Sequence, residues 1–112
     1  MNVSARQRDG VTILDLRGKL TLGSGEAALR STLQDALNAG ATKVVINLKE
    51  VSTIDSTGVG ELVGTYTTVT NRGAKLKLAT LPPKLQDILT ITQLITVFDV
   101  YDTEDLAIAS FG

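Results

Sequence analysis

The stretch Lys43-Val44-Val45-Ile46-Asn47-Leu48 limits the folds open to this chain more than any other. A near-continuous apolar run of strand length reads as a strand covered on both faces, which is the habit of parallel sheets. Parallel neighbours need crossover connections, and helical periodicity flanks the run on both sides. Upstream, Leu29, Leu33, Ala36 and Leu37 mark one helix face, and downstream Val59, Leu62, Val63, Tyr66 and Val69 mark another. With 112 residues, the chain is expected to form a single domain spanning residues 1–112. A domain of that size buries roughly two-thirds of its unfolded surface, enough for a core without disulfides or metal.

The remaining elements follow from turn and cap signals. Residues 3–8 predict a short edge strand, and Asp9-Gly10 is a hairpin turn leading into a strand over Val11–Arg17. Gly18 is expected to open an irregular loop running through Gly23 and Gly25. Ser24 is the expected cap of the first helix, with Glu26 in its first turn and Gly40 as its stop. The second helix is expected over Thr57–Asn71, ending ahead of Gly73. Lys75–Leu78 alternates as a strand, and Pro82-Pro83 opens a third helix with Leu85, Ile88 and Leu89 turned inward. Val97–Tyr101 is expected as the last strand, with Val97, Phe98 and Tyr101 in the core. Asp102-Thr103-Glu104-Asp105 then caps a short helix carrying Leu106, Ala107 and Ala109. The order predicts an α/β fold: a mixed, mostly parallel sheet of about five strands with about four helices and right-handed crossovers.

Composition narrows the chemistry. The chain has no histidine and no cysteine, which removes the usual neutral-pH general base, the commonest metal ligand and any thiolate. Net charge is −1, without a lysine or arginine cluster, so the electrostatic footprint of a nucleic-acid binder is missing. The N-terminus lacks the apolar run of a signal peptide, and no stretch approaches membrane-spanning length. A cytoplasmic protein without a metal or cofactor is expected.

The segment Ile54-Asp55-Ser56-Thr57-Gly58-Val59-Gly60 joins the apolar strand to the second helix. In open α/β sheets functional groups gather beyond the carboxyl ends of the strands, where this segment falls. It presents hydroxyls at a helix N-terminus, where backbone amides and the helix dipole favour negative charge. Ser56 and Thr57 therefore compete for two jobs, helix cap and phosphate acceptor. Asp55 is either an Asx-turn residue or a group that orients or activates the hydroxyl. Gly58 and Gly60 each cost up to about 1 kcal/mol against alanine inside a helix. Their benefit is either close approach by another surface or close packing of helix on sheet. The enzymatic alternatives each lack a part. There is no Gly-x-Ser-x-Gly elbow, Glu61 stands where a phosphate loop needs lysine, and Arg17-Gly18-Lys19 replaces the acidic pair of a receiver domain.

With the element order and Asp55-Ser56-Thr57-Gly58-Val59-Gly60 both in view, nearly the whole chain resembles the STAS domains, specifically the bacterial anti-sigma factor antagonists. The shared signature is Asp-Ser-(Ser/Thr)-Gly-(Leu/Val)-Gly at the start of the second helix. The resemblance implies a non-catalytic regulator whose serine after the aspartate, here Ser56, is phosphorylated by an anti-sigma factor that is also an ATP-dependent serine kinase. The unphosphorylated antagonist binds that factor and frees a sigma factor, and a serine phosphatase resets the cycle. Thr57 is the second candidate acceptor. A further family segment, Gly-Glu-Leu-Asp, reads Gly18-Lys19-Leu20-Thr21 here. The glycine and leucine match, whereas Lys19 and Thr21 replace acids, which implies a partner with altered complementary charge. The expected partner-binding face combines the Gly18–Gly25 loop, the Asp55–Thr57 turn and the exposed side of the following helix, with Gly18, Leu20, Thr21, Asp55, Ser56, Thr57, Gly58, Gly60, Glu61 and Thr65 as its residues and Gly64 beside them. The chain limits imply a stand-alone domain. The alternative reading is a STAS-type regulatory subunit of a membrane-associated transport complex without a phosphocycle.

Overall fold

Strands add to the sheet in the order in which the chain makes them. The computed structural model, which describes residues 1–111, has a five-stranded sheet in the order β1-β2-β3-β4-β5. β1 (Asn2–Arg8) and β2 (Val11–Leu20) form the antiparallel hairpin, and the turn residues Asp9 and Gly10 both have positive φ, as a primed turn requires. β3 (Lys43–Ile54), β4 (Lys75–Ala79) and β5 (Asp99–Tyr101) continue in parallel. Between them lie α1 (Glu26–Asn38), α2 (Ser56–Asn71) and α3 (Pro83–Ile91), and α4 (Glu104–Ala109) ends the fold. Each parallel strand is laid on the same side of its predecessor. Right-handed crossovers then place α1, α2 and α3 on one face of the sheet.

That face holds the main core. Leu14, Leu16, Val44, Ile46, Leu48, Leu76 and Leu78 pack under Leu29, Leu33, Leu62, Val69, Leu85 and Leu89 of the helices. The opposite parity of the same strands, Val11, Ile13, Val45 and Ala79, meets Ala107 of α4 in a smaller cluster. Both faces of β3 are therefore covered, which is why its alternation disappears from the sequence.

The second face is fastened mainly by polar groups. Arg6 of β1 donates to Asp15 of β2 at 2.6 Å and also pairs with Glu104 of α4, while Arg8 reaches Glu104 at 2.8 Å and Asp105 at 2.5 Å. Asn47 donates a further bond to Asp15 at 3.0 Å. At the other end of α4, Lys77 donates to Ser110 Oγ at 2.7 Å and sits over the rings of Phe111 and Tyr101. Lys77 is 8 % exposed, so an alternating strand residue that reads as solvated is roofed by the last helix.

Four boundaries depart from the sequence reading. β2 does not end at Gly18 but pairs through Leu20, and β3 runs on to Ile54 rather than Leu48. The two strands continue through register shifts near Arg17 and Lys19, where β3 carries extra residues. Bulges of this kind leave Leu48, Val51 and Ile54 buried at every third position, a spacing that hides the strand from a period-two search. Ser24 does not cap α1: Gly25 occupies that place in a left-handed conformation, and Ser24 instead pairs with Thr21. β5 shrinks to Asp99–Tyr101 because Leu94–Thr96 winds into a 3-10 turn. Val97, expected in the core, is 40 % exposed on that turn, whereas Phe98 is buried and Tyr101 half-buried.

Candidate functional site

The site is built where β3 hands over to α2. Asp55 is the N-cap, in extended conformation, and its Oδ1 accepts from the Gly58 amide at 2.9 Å. Its Oδ2 accepts from the Leu22 amide at 3.0 Å, in the loop that follows β2. One carboxylate thus ties two loops at the carboxyl ends of adjacent parallel strands. These amides, Leu22 first and Gly58 second, hold the Asp55 carboxyl below the ordinary carboxylate range. With both oxygens engaged and its basicity reduced, Asp55 is a poor proton acceptor. The expectation that it activates its neighbour gives way to the Asx-turn role.

Asp55 also removes one of the two jobs for which the hydroxyls compete. Because it caps the helix, neither Ser56 nor Thr57 is needed for that job. Ser56, the first helical residue, is exposed, and Thr57 is half-buried. First-turn amides and the helix dipole surround Ser56 with partial positive charge.

The two glycines separate. A Cβ on Gly58 would overlap the Leu20 carbonyl oxygen and come within 2.8 Å of Ile54 Cγ1, so this glycine lets α2 press onto the ends of β2 and β3. Gly60 and Gly64 have nothing within 4 Å of a built Cβ and lie on the open side of the helix. Gly58 belongs to packing; Gly60 belongs to the surface.

The residues expected on the partner face divide the same way. Ser56 and Gly60 are exposed, and Gly18, Thr21, Asp55, Thr57 and Glu61 are partly so. Leu20 is fully buried, Gly58 is buried, and Thr65 is 3 % exposed with its hydroxyl donating to the Glu61 carbonyl at 2.8 Å. Those three support the surface from beneath, because Leu20 points into the core and Thr65 faces α1. Glu61 is ion-paired with Arg30 of α1, across a groove of about 500 Å³ that Ala27, Ser31, Gly64 and Thr68 also line. Within the Gly18–Gly25 loop, sequence reasoning did not single out Leu22, which stands 76 % exposed beside Asp55. Its signal was an apolar residue set between loop residues, at Thr21-Leu22-Gly23.

Among the described residues, no group of three or more histidine, cysteine, aspartate or glutamate side chains is arranged to hold a metal, and no helix is long and apolar enough to cross a membrane. A mixed, mostly parallel sheet with helices α1–α3 on one face and an Asp-Ser turn at the start of the second helix defines a class, and the chain belongs to it: residues 2–107 match the STAS domain. A curated relative, the anti-sigma-B factor antagonist of Bacillus subtilis, is 34 % identical over 100 residues, covering 89 % of this chain and 90 % of that protein. Among solved structures, an anti-sigma factor antagonist from Mycobacterium paratuberculosis superposes with a TM-score of 0.85 at 21 % identity, over 97 % of this chain and 92 % of that one. The Bacillus cell fate determinant SpoIIAA, solved in its phosphorylated form, has a TM-score of 0.73 at 20 % identity, over 99 % of this chain and all of that one (100 %).

Proposed function

We propose that this chain is an anti-sigma factor antagonist gated by phosphorylation at Ser56. In its free form it binds an anti-sigma factor with serine kinase activity and so releases a sigma factor; a serine phosphatase restores the binding form. The observation that carries this reading is an exposed serine at the start of α2 that is relieved of capping duty by Asp55. The relative named an anti-sigma-B factor antagonist supports the partner class. On this reading the protein is a cytoplasmic kinase substrate rather than an enzyme.

The physics of the switch is local. Phosphate adds about −1.5 to −2 charges and three acceptor oxygens, taking the net charge from −1 to roughly −3. At a helix N-terminus that charge is tolerated within the domain, so the fold persists. The penalty falls on the partner, which loses the free hydroxyl and meets a dianion beside the Asp55 carboxylate. Each tenfold change in affinity requires about 1.4 kcal/mol, and one desolvated, unmatched phosphate supplies several times that.

The test is incubation with the cognate kinase and labelled ATP. Wild-type protein and Thr57→Ala take up label, Ser56→Ala does not, and Ser56→Asp binds the partner more weakly than Ser56→Ala does. Label on Ser56→Ala would move the acceptor to Thr57. Protein from its own cells that never carries phosphate would favour the transport-complex subunit instead.

A further inference from the structure

We infer that Leu22 is an apolar anchor for the same partner polypeptide that reads Ser56, and that Asp55 holds the two in register. This rests on the proposed function above and adds a docking element to it. Leu22 stands at the apex of a short turn and is 76 % exposed. A single exposed leucine is ordinary on a protein surface. This one is held unusually firmly.

All four backbone amides from Thr21 to Ser24 are committed. Thr21 and Ser24 exchange amide-to-carbonyl bonds at 3.1 and 2.9 Å. The Leu22 amide donates to Asp55, and the Gly23 amide donates to Glu26 Oε1 at 2.7 Å. Gly25, with φ +88, seals the base of the loop against Met1, whose sulfur occupies the space a Cβ would need. The apex is therefore preorganised, and a partner that buries the side chain loses little conformational freedom in doing so. Leucine is under-represented among interface hot spots, so the case for this one rests on its rigid presentation beside Ser56 rather than on its residue type.

Position supplies the rest. The carboxylate that receives the Leu22 amide belongs to the residue directly before Ser56, so the anchor and the hydroxyl share one rigid support. Beside the apex is a hollow of about 350 Å³ floored by Gly23, Gly25, Ala27 and Ala28, with no lysine or arginine among its lining residues. Its one charged side chain, Glu26, is engaged by Gly23. The partner that fits presents an apolar pocket for Leu22 and an apolar side chain for the hollow, next to the groups that read the serine. Burial of a whole leucine accounts for about one to two decades of affinity.

The experiment uses the anti-sigma kinase from the source cell, retained on immobilised wild-type protein and then produced separately. Its dissociation constant is measured for wild type, Leu22→Ser, Leu22→Ala and, as a control for exposed apolar surface, Ile91→Ser, which is 82 % exposed on α3. We expect Leu22→Ser to weaken binding tenfold or more and Leu22→Ala by less. Ile91→Ser should stay within twofold, with thermal midpoints of the Leu22 variants unchanged, because the loop is held by backbone bonds. Saturating kinase should still phosphorylate Leu22→Ser at Ser56 with unchanged kcat and a raised KM. Binding of Leu22→Ser within twofold of wild type overturns the anchor and leaves the proposed function standing. If no kinase is retained by wild-type protein, both fall.

Discussion

Alanine at Gly58 and alanine at Gly60 are the same chemical change, two residues apart on one helix, yet they should have opposite signs. Helix propensity favours alanine over glycine by about 1 kcal/mol at either place. At Gly60 nothing lies within 4 Å of the new methyl group, so the substitution keeps most of that gain, about 0.5–1 kcal/mol. At Gly58 the methyl overlaps the Leu20 carbonyl oxygen and crowds Ile54 Cγ1 at 2.8 Å, and a backbone oxygen has no rotamer by which to move away. The start of α2 must lift from the sheet, straining the Asp55 cap and loosening the contacts of buried Val59 and Leu62. Overpacking of this kind costs typically about 1–3 kcal/mol. Net of propensity, Gly58→Ala should destabilise by about 1 kcal/mol, a fall of roughly 4 °C in midpoint for a domain of this length. Urea denaturation with an unchanged slope is the assay. A Gly58→Ala protein as stable as Gly60→Ala would refute the close approach of helix and strand.

Three further outcomes are expected. Arg6→Met removes the main cationic partner of both Asp15 and Glu104, whose carboxyls it holds below their ordinary values; because solvent screens the 43 % exposed Arg6 side chain, the loss at neutral pH should be only about 1–2 kcal/mol. Depressed carboxyls stabilise the fold above their unfolded values near pH 4 and lose that contribution as pH falls further, so the variant should unfold at higher pH in acid titrations followed by circular dichroism. Asp55→Ala should lower the thermal midpoint and speed hydrogen exchange at the Leu22 and Gly58 amides, while Asp55→Asn, which keeps an acceptor, should recover most protection at one of them; unchanged exchange in the alanine variant would contradict the tie between the loops. Lys77→Ala removes the group that binds Ser110 and leaves a cavity beside Phe111, so α4 should exchange faster than the rest of the fold at a global loss of about 1–3 kcal/mol, and uniform exchange would argue against α4 as a separate cover.

What could be read from the residues was what obeys a simple period. Val44–Ile46 revealed a strand covered on both faces, and Leu29, Leu33 and Leu37 a helix, because nothing interrupts their spacing. The far half of β3 was invisible because register shifts spread its buried residues three apart. Val97 misled because an apolar residue at a 3-10 turn has the same letter as one in a strand. At the site, the aspartate, hydroxyls and glycines were evident, but their roles were not. A string of letters could not tell that Asp55 reaches across to Leu22, 33 positions away, and so leaves Ser56 free of capping. Nor could it distinguish a glycine pressed on a carbonyl from one facing water.

The ion pair between Arg6 and Glu104 links residues 98 positions apart, while every strand added to the sheet lies beside the one made just before it. The sheet can therefore grow unit by unit along the chain, whereas this fastening waits for α4. An intermediate with α1–α3 docked and α4 still loose leaves Val11, Ile13 and Val45 uncovered, so the docking of one short helix is the step that turns a sticky species into a finished fold.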